Sequence, residues 1–111
     1  MAFDERLRNP HVDRLFQAMQ TLKGTEEYYR FFEDLCTVTE IRTLAQRFRA
    51  AEMLQDGAKY EEVVEETGMS SATISRIKRF LNYGADGYTM AIERLSAEEE
   101  DDASFAAERS E

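Results

Sequence analysis

Between Gly68 and Tyr83 the chain carries Arg76, Lys78 and Arg79 with no acidic residue, and Ser70, Ser71, Thr73 and Ser75 crowd the same stretch. Cations that grip phosphate, next to short hydroxyls that permit close approach, suit contact with nucleic acid. The surrounding segment, YEEVVEETGMSSATISRIKR from Tyr60 to Arg79, reads as two short helices split by a glycine turn, a helix-turn-helix. With Tyr60 as the first position, glycine falls ninth (Gly68), where the turn needs positive φ. Apolar residues fall fourth, fifth, tenth, fifteenth and eighteenth: Val63, Val64, Met69, Ile74 and Ile77. These are the places where the two helices must pack on each other and on the body of the domain. Val64 is bulkier than the small residue usually preferred at its position.

The rest of the second helix is free to face a partner. Ser70 or Ser71 caps its N-terminus, whose unpaired amides and dipole favour a phosphate. Ser71, Ala72, Thr73, Ser75 and Arg76 form an outward face short enough to enter a major groove. Arg76 can address guanine as a bidentate donor, and Thr73 or Ala72 can meet a thymine methyl. Lys78 and Arg79, with Lys59 ahead of the first helix, are placed for phosphates. The first helix carries Glu61, Glu62, Glu65 and Glu66 and is expected to lie away from the backbone. The predicted partner is double-stranded DNA.

Other chemistries fit poorly. Cys36 is the lone cysteine and His11 the lone histidine; they cannot build a disulfide or a zinc site within one chain. Far apart in sequence, they are a poor basis for nucleophilic catalysis, so no enzyme and no metal are expected. Cys36 reads as a small apolar residue near a helix end and His11 as a surface residue. The formal net charge of −9 taken as a sum opposes DNA, but it is unevenly spread. From Ser96 to Glu111 the acids Glu98, Glu99, Glu100, Asp101, Asp102, Glu108 and Glu111 face only Arg109. Most of the acidity therefore lies in that tail, so the overall charge misrepresents the basic stretch. No apolar run approaches the roughly 20 residues of a membrane span, and the N-terminus lacks an apolar stretch of signal-peptide length. A cytoplasmic protein is expected.

The elements that must position the basic stretch are all helical. Asn9-Pro10 starts a helix that ends near Gly24, with Val12, Leu15, Phe16, Met19 and Leu22 on one face. Thr25 is expected to cap a shorter helix bearing Tyr28, Tyr29, Phe31, Phe32 and Leu35. Its rings fall on more than one side, so it must be buried on several sides, which a small monomer can hardly provide. Core or dimer interface is the expected role of that cluster. Thr37 and Glu40 have capping-box spacing. The helix they open runs to Asp56-Gly57, with Ile41, Leu44, Ala45, Phe48, Ala51 and Leu54 as its predicted buried face. Helices over Tyr60–Thr67, Ser71–Asn82 and Tyr88–Leu95 follow, the last carrying Met90, Ile92 and Leu95. The acidic tail 96–111 is predicted to be disordered. The organisation is thus one helical domain over 1–95, with the helix-turn-helix at about 60–79, and an appended tail.

GMSSATISRIKRFL resembles the recognition-helix segment of the tryptophan repressor, with an Ala-Thr-Ile-(Ser/Thr)-Arg core after a glycine. The T-x-x-E-x-x-x-L-x-x-R run from Thr37 to Arg47, followed by Leu54 and Gly57, is similar to that superfamily's preceding long helix. The run FFEDLCTVTE-IRTLAQR resembles the YerC/YecD group of tryptophan-repressor-related proteins. The resemblance spans roughly residues 10–95. It implies an all-α, Trp-repressor-like domain in an intertwined homodimer, acting as a sequence-specific transcriptional regulator. It further implies a possible effector site at Thr37, Arg47 and Arg76, which match the family's tryptophan-binding threonine and arginines. Ile77 stands where the tryptophan repressor has the glycine that leaves room for the indole. That departure argues against tryptophan as effector and leaves any other small molecule unspecified. The alternative is a protein–protein interaction module that keeps the fold without operator binding.

Overall fold

The computed structural model describes residues 3–109, and the side chains of residues 3–103. After a short 3-10 turn at Glu5–Leu7 come α1 (Pro10–Met19), α2 (Gly24–Leu35), α3 (Val38–Gln55), α4 (Tyr60–Thr67), α5 (Ser71–Tyr83) and α6 (Gly87–Arg109). Every described element is helical.

Local chemistry explains most boundaries. The Asn9 side chain accepts the amides of His11 (2.7 Å) and Val12 (3.4 Å), and Pro10 supplies the preset φ of a first helical residue. At α3 the amide of Glu40 donates to Thr37 Oγ1 (3.0 Å) and the amide of Thr37 donates to Glu40 Oε1 (2.9 Å). The Thr37 backbone amide, then its hydroxyl, hold the Glu40 carboxyl below the usual carboxylate range. The other end of α3 closes on Gly57 at φ 88°, with Ala58 N–H donating to Met53 O (2.9 Å) and Gly57 N–H to Leu54 O (3.1 Å). That is the bonding of a Schellman cap.

The core lies in the C-terminal half. Ala50, Ala51 and Leu54 of α3, Val63 of α4, Ile74 and Ile77 of α5 and Ile92 of α6 are buried together. Phe48, Met53, Val64, Met69, Leu81 and Tyr88 pack around them. The paired alanines leave room for α4 and α5 to approach α3 closely, and the branched side chains fill the space between.

Several boundaries differ from expectation. Helix α1 stops at Met19, short of Gly24, because Thr21 and Leu22 donate to Ala18 and Met19 in tight turns and the Thr21 hydroxyl also bonds Ala18 O. Thr25 is not the cap of α2; the Lys23 amide donates to Glu27 Oε1 instead (2.9 Å). Helix α5 extends one residue past Asn82, to Tyr83.

The predicted face of α3 is buried only toward its C-terminal end. Ala50 joins the core, whereas Leu44 and Ala45 are exposed and Ile41 and Phe48 are half-buried. Helices α1 and α2 bury no residue at all. Phe16 is 52% exposed, Tyr29 73% and Val38 62%. The Cα radius of gyration, 16.5 Å, exceeds the roughly 13 Å of a compact chain this long. The N-terminal half of this chain is thus laid out without a core of its own.

The disordered tail predicted from Ser96 is replaced by helix, since α6 continues to Arg109. Ala and Glu are strong helix formers, and no glycine or proline interrupts the run after Gly87. Residues 96–103 are all exposed on that extension; residues 110 and 111 lie outside the described part. Among the described residues no helix is long and apolar enough to cross a membrane.

Candidate nucleic-acid interface

The basic helix is held by its inner edge. Ile74 (0% exposed) and Ile77 (3%) sit in the core beside Val63, with Val64 and Met69 half-buried around them. All five apolar positions predicted for the helix-turn-helix therefore face inward. Gly68, at φ 73°, turns the chain between α4 and α5, and its amide closes α4 on Val64 O (2.8 Å). Ser70, not Ser71, caps α5: Thr73 N–H donates to Ser70 Oγ (3.2 Å), and the two hydroxyls lie 3.0 Å apart.

With that edge fixed, Lys59, Ser70, Ser71, Ala72, Ser75, Arg76 and Arg79 are exposed. Lys78 is half-buried, as expected of a lysine whose aliphatic stem rests on apolar surface. Thr73 departs from the outward face drawn for it. Half-buried, it bonds Ser70 and lines a cleft with Arg47 of α3, Arg76 and Ile77. The glutamates of α4 are exposed, and Glu66 lies 3.9 Å from Arg49 of α3.

Two of the three candidate effector residues meet. Arg47 of α3 and Arg76 of α5 line one cleft of about 330 Å³ with Thr73, Ile77, Phe80 and Tyr88. Thr37 is not part of it; its hydroxyl is engaged in the cap of α3. Ile77 forms part of the wall but leaves the cleft open. Phe80 and Tyr88 were not singled out by sequence. Phe80 lies four residues after Arg76, on the same helix face, and that spacing is the signal that could have found it. Nothing local marks Tyr88. Among the described residues no group of three or more His, Cys, Asp or Glu side chains could hold a metal ion.

A family model described as Trp repressor protein matches residues 10–96. The chain belongs to the Trp repressor family. A curated relative, the uncharacterized protein YerC of Bacillus subtilis (strain 168), is 50% identical over 100 residues, covering 90% of this chain and 96% of that protein. A TrpR like protein from Eubacterium eligens ATCC 27750, known from a crystal structure, superposes with a TM-score of 0.80 at 49% identity. The match covers 84% of this chain and 96% of that one. Membership accounts for the all-helical order and for the helix-turn-helix, and the matched range ends at the acidic extension of α6.

The turn gives a direct test. A Cβ at Gly68 would meet nothing within 4 Å, so only its left-handed backbone opposes a side chain. Gly68→Ala is expected to cost about 1–2 kcal/mol in urea unfolding; an unchanged midpoint would mean that the turn relaxes to negative φ without cost.

Proposed function

We propose that this protein is a sequence-specific, double-stranded-DNA-binding transcriptional regulator that reads the major groove with α5 as a homodimer. The observation that carries this reading is the division of α5 into two faces. Ile74 and Ile77 anchor one edge, while Ser71, Ala72, Ser75 and Arg76 are exposed on a helix free of acidic residues. Family membership supports it, since the fold is that of a regulatory helix-turn-helix rather than of an enzyme. Arg76 would serve a guanine, Ala72 a thymine methyl, and Lys59, Lys78 and Arg79 the phosphates. The N-terminus of α5 around Ser70 and Ser71 would face a phosphate with its dipole and the amides that the Ser70 cap does not take up.

The homodimer is supported by the exposed apolar surface of α1, α2 and the first half of α3. Tyr28, Tyr29, Phe16, Val38 and Leu44 are each more than two-fifths exposed. A second copy covering them would supply the core that one protomer lacks. Free tryptophan is not the expected effector. Ile77 puts a branched side chain in the wall of the Arg47–Arg76 cleft, and Thr37 is occupied elsewhere. A branched side chain where the family's glycine leaves room for the ring is expected to cost tryptophan roughly 1–3 kcal/mol, or about ten- to a hundredfold in affinity.

Sedimentation of a dilution series is expected to give a dimer at micromolar concentration, and a stably folded monomer there would refute the association. Duplexes selected from a random pool are expected to bind in a salt-dependent way. Arg76→Ala should then lose roughly 1–3 kcal/mol on the selected site and relax base choice. Lys78→Ala should weaken all sequences alike and shallow the salt slope by about one unit. Absence of any duplex binding would favour a protein-interaction module on the same fold. Calorimetric titration with tryptophan is expected to show no micromolar binding; heat of binding in that range would overturn the exclusion.

A further inference from the structure

Thr67, the last residue of α4, is a buried polar side chain at 7% exposure, beside the turn that aims α5. Its hydroxyl does two things at once. It donates to Val63 O at 2.7 Å, one turn back in α4, and it accepts the amide of Met69 at 3.2 Å. Met69 follows the left-handed Gly68 and precedes Ser70, the cap of α5. The Met69 amide has left the α4 ladder and has not yet joined the α5 ladder, so it needs a partner from elsewhere. Threonine is suited to this because a hydroxyl can donate and accept together, while its methyl contributes to an apolar surrounding. Valine has the same shape and can do neither.

We propose that Thr67 is a positioning residue for the recognition helix: its hydroxyl clamps the Gly68–Met69 turn and so sets the direction in which α5 leaves it. The path runs through two consecutive residues. Thr67 fixes the Met69 backbone, Met69 sets the place of Ser70, and Ser70 accepts the amide of Thr73 and, through its carbonyl, that of Ile74 (3.0 Å). A turn held only by Gly68 could swing, since glycine has the widest choice of backbone conformations. The clamp removes that freedom without touching a ligand. Its functional consequence rests on the DNA-reading role proposed for α5. A helix that swings can still meet phosphates, which are alike along the duplex, but it loses the fixed register that base edges demand. Thr67 therefore bears on sequence selectivity rather than on general affinity.

The test compares the full-length wild type with Thr67→Val and Thr67→Ser, with circular dichroism and thermal melting as checks on folding. Amide hydrogen exchange by NMR reads the clamp directly. In Thr67→Val the Met69 amide is expected to exchange about tenfold faster while Gly68, bonded to Val64 O, is unchanged; Thr67→Ser should restore Met69. On a selected duplex Thr67→Val should bind roughly tenfold more weakly, with affinity for an unrelated duplex unaltered and the serine variant near wild type. Unchanged Met69 exchange in Thr67→Val would overturn the clamp. Faster exchange with selectivity intact would overturn its role in positioning, and a serine variant that behaves like valine would assign the effect to methyl packing instead. If the wild type binds no duplex, the DNA reading fails together with the selectivity claim, and the exchange data still decide separately whether Thr67 holds the turn.

Discussion

Burial of Ile74 and Ile77 of α5 against Ala50, Ala51 and Leu54 of α3, with Val63 of α4 beside them, is the contact on which the functional half of the molecule depends. A fully buried isoleucine contributes roughly 1.5–3 kcal/mol, so this small cluster supplies much of what orders α4 and α5. It also fixes rotation. Once two residues of a helix are committed inward, the others have no choice of direction, and the outward set on α5 follows from the inward one. Alanine matters here as much as isoleucine: a larger residue at position 50 or 51 would hold the helices apart and turn that face.

The rest of the protomer is organised by a shortage. Helix α1 is capped by Asn9, and both α1 and α2 carry one-sided or aromatic sequences, yet neither contains a fully buried residue in the single chain. The Phe32 ring stacks on Tyr28 at 6.5 Å and meets Phe31 edge-on at 5.6 Å, with Tyr28 exposed and the two phenylalanines only half-buried. An arrangement of this kind leaves apolar surface that the single chain does not cover. The split falls within α3, whose last turns belong to the protomer core and whose first turns bear exposed Val38 and Leu44.

Charge is partitioned along the same lines. The glutamates of α4 are exposed and Glu66 lies near Arg49, while Glu98, Glu99, Glu100, Asp101 and Asp102 ride on the helical extension of α6. Screening confines each group to about 8–10 Å at ordinary salt. A net charge of −9 is therefore compatible with a basic surface on α5, because the surface responds to its neighbours and not to the sum. The continuity of α6 adds a mechanical element: a helical extension holds its charges at a set distance from the core, where a loose chain could fold back.

Local rules made much of this legible in the residues themselves. Asn9-Pro10, the Thr37/Glu40 pair, Asp56-Gly57 and Gly68 mark ends because the bonds that make them span only a few residues. The spacing of Val63, Ile74 and Ile77 decided which edge of the helix-turn-helix is buried, since helical period alone assigns faces. Composition was a weaker guide where two local tendencies competed: the acidic segment after Leu95 is poor in apolar residues, yet its Ala and Glu favour helix, and helix is what forms. Other features required the tertiary structure. That α3 buries Ala50 but exposes Leu44, and that Arg47 of α3, Arg76 of α5 and Tyr88 of α6 line one cleft, depend on where separate helices lie in space. Periodicity says which way a side chain faces along its own helix; only the packing of one helix on another decides what, if anything, it meets.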